Sequence, residues 1–136
     1  MRGVLAFVSG NKVYVQRPDR QRLITSGVSP DWSPDGKRLV IIRPRATGTT
    51  NSDFGRIYTV RLNGHGLKRV GGQDDASSPV WSPDGRWIAY SGFDLGVQVK
   101  LVGTPAQAKE WAPTQVSGES GTVVSFSPAW RPRPRR

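Results

Sequence analysis

The sequence predicts an all-β chain built from repeated, four-stranded antiparallel sheets, and three observations predict it. The tripeptides Pro30-Asp31-Trp32, Pro79-Val80-Trp81 and Pro128-Ala129-Trp130 begin 49 residues apart. Short apolar runs with strand periodicity follow the first two at the same interval. Between tryptophan and apolar run stands one turn, written twice: Ser33-Pro34-Asp35-Gly36 and Ser82-Pro83-Asp84-Gly85. A fixed period of this length, carried by strand and turn residues, marks an array of small sheets such as a propeller. That architecture points to a binding scaffold before an enzyme.

The elements follow in order. Residues 4–8, 38–42 and 87–90 are dense apolar runs, read as strands covered on both faces. Each is followed by a strand with the alternation of a half-buried sheet, at 12–15, 56–60 and 97–101. A short polar strand closes each unit, at 22–25, 67–70 and 114–116, with glycine close behind, as suits a cramped outer edge. In the repeated turn, proline supplies φ near −65°, aspartate follows, and glycine leaves the turn at positive φ. The result is a tight hairpin between the tryptophan strand and the apolar strand.

Trp-Ser-Pro-Asp-Gly, a basic or aromatic residue, strands such as Ile88-Ala89-Tyr90 and Ile57-Tyr58, and a loop such as Leu62-Asn63-Gly64 together resemble the WD-like propeller repeat of TolB-type proteins. The resemblance covers nearly the whole chain. The third copy departs from it, because Trp130 runs into Arg131-Pro132-Arg133-Pro134-Arg135-Arg136 with no Asp-Gly turn. Lettering strands A to D outward from the tryptophan strand, as in that family, gives the order BCD-ABCD-ABCD-A. This amounts to three blades in residues 1–130, with a closing strand near 123–130, and a basic Arg/Pro tail at 131–136. Closed propellers hold four to eight blades. The chain is therefore expected to be either a partial propeller or one half of a six-bladed ring made by two copies.

Composition sets bounds. With 136 residues, 35% of them hydrophobic, and no apolar run near 18 residues, a single domain without a transmembrane helix is expected. The opening Met1-Arg2-Gly3-Val4-Leu5-Ala6-Phe7-Val8 has too short an apolar core for a secretory signal. Localisation stays open: cytoplasmic as the chain stands, extracytoplasmic if it is a piece of a TolB-like protein. The absence of cysteine rules out disulfides, thiolate catalysis and Cys-ligated zinc. The net charge of +10 is uneven, with residues 1–49 and 99–136 basic and 50–98 neutral. Docking the last strand on the opening blade would gather Arg17, Arg20, Arg22 and the tail at one seam attractive to nucleic acid or another polyanion. A merely solvated surface accounts for the same arginines, and no aromatic platform interleaves them.

The search for chemistry finds little. His65, the single histidine, sits in the turn Asn63-Gly64-His65-Gly66, and Ser120 lies in Gly118-Glu119-Ser120-Gly121, which is no nucleophile elbow. Gln73-Asp74-Asp75 falls short of a calcium loop's alternating ligands, and Asp35 and Asp84 belong to turns. No catalytic residue, metal or cofactor is expected. Trp32, Trp81 and Trp130 recur at one position and read as packing between adjacent blades. Trp87 fits packing and ligand contact equally. Residues 104–111 read as a one-turn helix, with threonine cap and proline at its first position, that Trp111 pins to a blade.

Strand alternation places the B–C and D–A loops on one face and the A–B and C–D loops on the other. The uniform Ser-Pro-Asp-Gly turns occupy the second face; the first collects irregular segments, where binding residues concentrate on regular scaffolds. Arg45, Asp53 and Phe54 in the excursion from Pro44 to Gly55, with Asp74, Asp75 and Asp94, are the candidate partner-binding residues. The resemblance implies a non-catalytic module binding a protein or peptide partner. Two alternatives stand beside it: polyanion binding along the basic seam, and the severed propeller of a prolyl oligopeptidase-like enzyme.

Overall fold

The computed structural model describes residues 3–44, 54–71, 76–92, 96–101 and 110–111. All regular structure among them is strand: β1 (Leu5–Ser9), β2 (Lys12–Gln16), β3 (Gln21–Ser26), β4 (Val28–Trp32), β5 (Arg38–Pro44), β6 (Gly55–Arg61), β7 (Lys68–Val70), β8 (Ala76–Trp81), β9 (Trp87–Gly92), β10 (Gly96–Leu101) and β11 (Glu110–Trp111). Every pairing is antiparallel. The opening unit is β1-β2-β3. The middle unit runs β4-β5-β6-β7 and the third β8-β9-β10-β11, and among the described residues their one strand pairing is Gly55–Ala76. The lettered order read from the sequence thus matches the sheets as far as they are described.

One expectation fails at the third unit. Glu110 and Trp111 form a strand that pairs with Lys100 and Val99, so the end of the expected one-turn helix is instead the outer edge of a sheet. Capping residues propose a helix, but an open ladder on β10 offers backbone partners that one isolated turn cannot match. Residues 104–109, the strand expected at 114–116, and the closing strand with Trp130 lie outside the described residues. So do Arg45, Asp53, Asp74, Asp75 and Asp94.

β5 is the spine of the described fold. Leu39, Val40, Ile41 and Ile42 are all fully buried, because the strand is covered on both sides. Leu39 and Ile41 join Val13, Val15, Ile24 and Val60 against the opening unit. Val40 and Ile42 join Val28, Ile57, Ala76, Trp81, Ile88 and Tyr90 against the third unit. Full burial of each such side chain stabilises by roughly 1.5–3 kcal/mol, so β5 clamps the three units together. The opening unit is less covered: Leu5 is 62% exposed on β1, whose only described strand partner is β2.

The inner strands carry a device that the sequence does not announce. Ser29 and Ser78, 49 residues apart, both take positive φ (53° and 51°), and the β4–β5 and β8–β9 ladders slip at these places. The following Pro30 and Pro79 cannot donate to a ladder, so each inner strand bulges where its proline sits. The bulge accommodates a mid-strand proline, half-buried at Pro30 and buried at Pro79, and recurs with the repeat.

Candidate functional site

The two Ser-Pro-Asp-Gly hairpins are one structure built twice. The glycine N–H donates to the serine carbonyl at 2.9 Å in both, and Gly36 and Gly85 leave at φ +71° and +73°. The buried hydroxyls of Ser33 and Ser82 each accept from the backbone N–H five residues on, Arg38 or Trp87, at 2.9 Å. Each then donates to Oδ1 of the turn aspartate, at 2.6 Å for Asp35 and 2.5 Å for Asp84. That carboxylate also accepts the N–H of Lys37 or Arg86 at 3.0 Å. Hydrogen bonds from Ser33 and Lys37 hold the exposed Asp35 carboxyl below its usual range. The proline, aspartate and glycine of the turn are placed as their types predict; the serine relay is a contribution that turn statistics alone miss.

Beside the middle hairpin lies the C–D turn. Asn63 Oδ1 accepts the His65 N–H at 2.9 Å, and the Arg61 N–H donates to the His65 carbonyl at 2.9 Å. His65 is an exposed turn residue, as its setting in sequence suggested. Gly64, at φ +82°, lies so close to the opening unit that a Cβ there would stand 2.8 Å from the Ile24 carbonyl oxygen. The hairpin and this turn enclose a groove of about 480 Å³. Lys37, Arg38, Arg61 and Lys68 line it, with Asp35 as the one carboxylate on its wall.

The tryptophans act between units. Trp81 is 5% exposed and packs among middle-unit residues, and its backbone N–H donates to Asp31 Oδ2 at 2.8 Å, a bond from one unit to the next. The Arg38 guanidinium sits 4.9 Å from the centroid of the Trp81 ring. Trp32 packs the same way against the opening unit. Asp31 is partly buried by this arrangement, and desolvation raises its pKa against the lowering effect of the Trp81 and Trp32 N–H bonds. Sequence position singled out the tryptophans; nothing in it singled out Asp31, whose counterpart in the third unit is Val80.

Of the residues expected to capture a partner, Phe54 alone is described, half-buried at the mouth of β6. Among the described residues no group of three or more His, Cys, Asp or Glu side chains could hold a metal ion. No described helix is long and apolar enough to cross a membrane.

No protein-family model matches the chain. It is 35% identical over 75 residues, 52% of its length and 17% of the relative's, to the Tol-Pal system protein TolB of Rickettsia akari (strain Hartford). Over 132 residues, 92% of its length and 28% of the relative's, it is 30% identical to the Tol-Pal system protein TolB of Francisella tularensis subsp. holarctica (strain OSU18). The crystal structure of TolB from Acinetobacter baumannii superposes on 74% of this chain with a TM-score of 0.59 at 22% identity, 27% of that structure being covered. The last likeness is one of fold. The chain spans less than a third of the length of these relatives.

Proposed function

We propose that this chain, a TolB-type WD-like β-propeller repeat protein, is a non-catalytic interaction module that binds a protein partner through the irregular loops on the B–C and D–A face. The family and the all-β propeller fold are shown by the relatives; the partner and the face are our reading. The observation that carries it is the closed mouth of the β5–β6 ladder. Pro44 pairs directly with Gly55, and a Cβ at Gly55 would collide with the Arg43 carbonyl oxygen. The excursion through Arg45 and Asp53 therefore leaves and rejoins the sheet at one point. Long excursions on a regular scaffold of this kind are commonly functional. The equivalent connection in the opening unit is the two-residue turn Gly10-Asn11, both at φ 58°.

The relatives are named as Tol-Pal system proteins, so the proteins of such a system are the first partners to test. Replacing residues 45–53 by Ser-Gly-Asn should leave the melting temperature within about 4 °C, because closure entropy depends weakly on loop length. Capture of the purified partner should fall about tenfold or more. Capture that survives the shortened loop but fails on Lys37→Glu with Arg86→Glu would place the partner on the opposite face and overturn this reading.

A further inference from the structure

The face opposite the irregular loops is uniform in its turn and not in its rim. At the ladder position of Arg38 and Arg61, which pair across β5 and β6, the third unit has Trp87 and Leu101. The cluster of Lys37, Arg38, Arg61 and Lys68 is therefore particular to the middle unit, although the hairpin beneath it is repeated to within 0.1 Å in its hydrogen bonds.

We infer that this groove is a second binding surface, one that takes a carboxylate-rich peptide segment of another protein. Four cations face one carboxylate, and that carboxylate is already engaged: Asp35 accepts from the Ser33 hydroxyl and the Lys37 N–H within its own turn. One of the cations is held in place by the fold: Arg38 is half-buried over the Trp81 ring. The exposed Arg61 side chain runs past the bare Cα of Gly66, where a Cβ would stand 3.3 Å from Nε. A guanidinium matches a carboxylate bidentately, and one fixed as Arg38 is loses little side-chain freedom on binding. Half-buried Leu62 adds an apolar wall, and Asn63 a side-chain amide. No aromatic ring lines the groove to stack a base, which favours peptide over single-stranded nucleic acid. The surface lies on the A–B and C–D face, so it is independent of the loop-borne site proposed above.

Fluorescence polarisation with a labelled octapeptide alternating glutamate and glycine tests it at about 150 mM salt, where long-range attraction is screened. The wild-type chain should bind, and Arg61→Gln with Lys68→Gln should weaken binding about tenfold or more. Lys12→Gln with Arg22→Gln, which removes equal charge from the opening unit, should change it less than about twofold. The chain with residues 45–53 shortened should bind the peptide as wild type does, whatever becomes of its protein partner. Equal losses in both charge pairs would reduce the effect to the general attraction of a chain of net charge +10 and overturn the inference. A single-stranded oligonucleotide of equal charge that displaces the peptide at the same or lower concentration overturns it too, and so does loss of binding in the loop-shortened chain.

Discussion

The middle and third units share a hairpin and an inner-strand bulge, and differ at the ladder positions that flank them. In both, serine, aspartate and glycine close the turn with matching hydrogen bonds. Around the first of these turns stand Asp31, Arg38 and Arg61; around the second, Val80, Trp87 and Leu101. The repeat motif thus accounts for the backbone of the turn and leaves the flanking ladder positions unconstrained. Whatever distinguishes one unit from another, including an inter-unit bond and a cationic groove, is written at those flanking positions.

The comparison breaks most directly at the serines. Ser33→Ala and Ser82→Ala each strand a backbone N–H and remove a donor from an aspartate, so each should cost about 1–3 kcal/mol in urea unfolding. Because the two turns match, the two losses should agree within about 0.5 kcal/mol. A loss confined to one unit would show that equivalent geometry is not equivalent energetics.

A smaller effect separates the units at Asp31. Asp31→Ala removes the acceptor of the Trp81 N–H and should cost about 1 kcal/mol, measured the same way. Asp31→Asn keeps an acceptor oxygen and cannot be charged, so at pH 7 it should match or exceed the wild type. The raised pKa fixes the sign: what Asp31 contributes is fully present below its unfolded-state pKa and is lost as pH rises through the folded value. A strong loss from Asp31→Asn at pH 7 would mean that the charge itself stabilises the inter-unit contact.

The smallest effect has the opposite sign. The pKa of Asp35 is depressed, so its contribution is present above the unfolded-state pKa and is lost as pH falls through the lower folded value. Asp35→Asn should flatten the acid limb of the stability profile while Asp31→Asn steepens it. Parallel changes in the two profiles would contradict the assigned causes of the two shifts.

Much of the fold was legible because its elements are local. The alternation in 56–60, the doubly apolar run 38–42 and the Pro-Asp-Gly turns each reflect preferences of a few adjacent residues, and their 49-residue recurrence identified the repeat. The helix expected over 104–111 failed at its end for a related reason. Capping residues report what a short segment prefers alone, whereas Glu110 and Trp111 pair with a ladder that other residues supply. The groove escaped reading altogether. Arg38 and Arg61 are 23 positions apart in a sequence rich in arginine, and only the β5–β6 register sets them opposite each other.

By itself, the sequence determined the order of strands β1 to β10, the proline, aspartate and glycine placement of the hairpins and the packing of Trp32 and Trp81, since each depends on spacing and on backbone preferences carried within one unit. Tertiary structure alone decided which charges meet, which carboxylate loses its water, and which serines bend into a bulge ahead of a mid-strand proline. Electrostatic and desolvation effects depend on distance in space. In a stack of sheets that distance is set by how β5 is covered on its two faces, and no single repeat contains both of its neighbours.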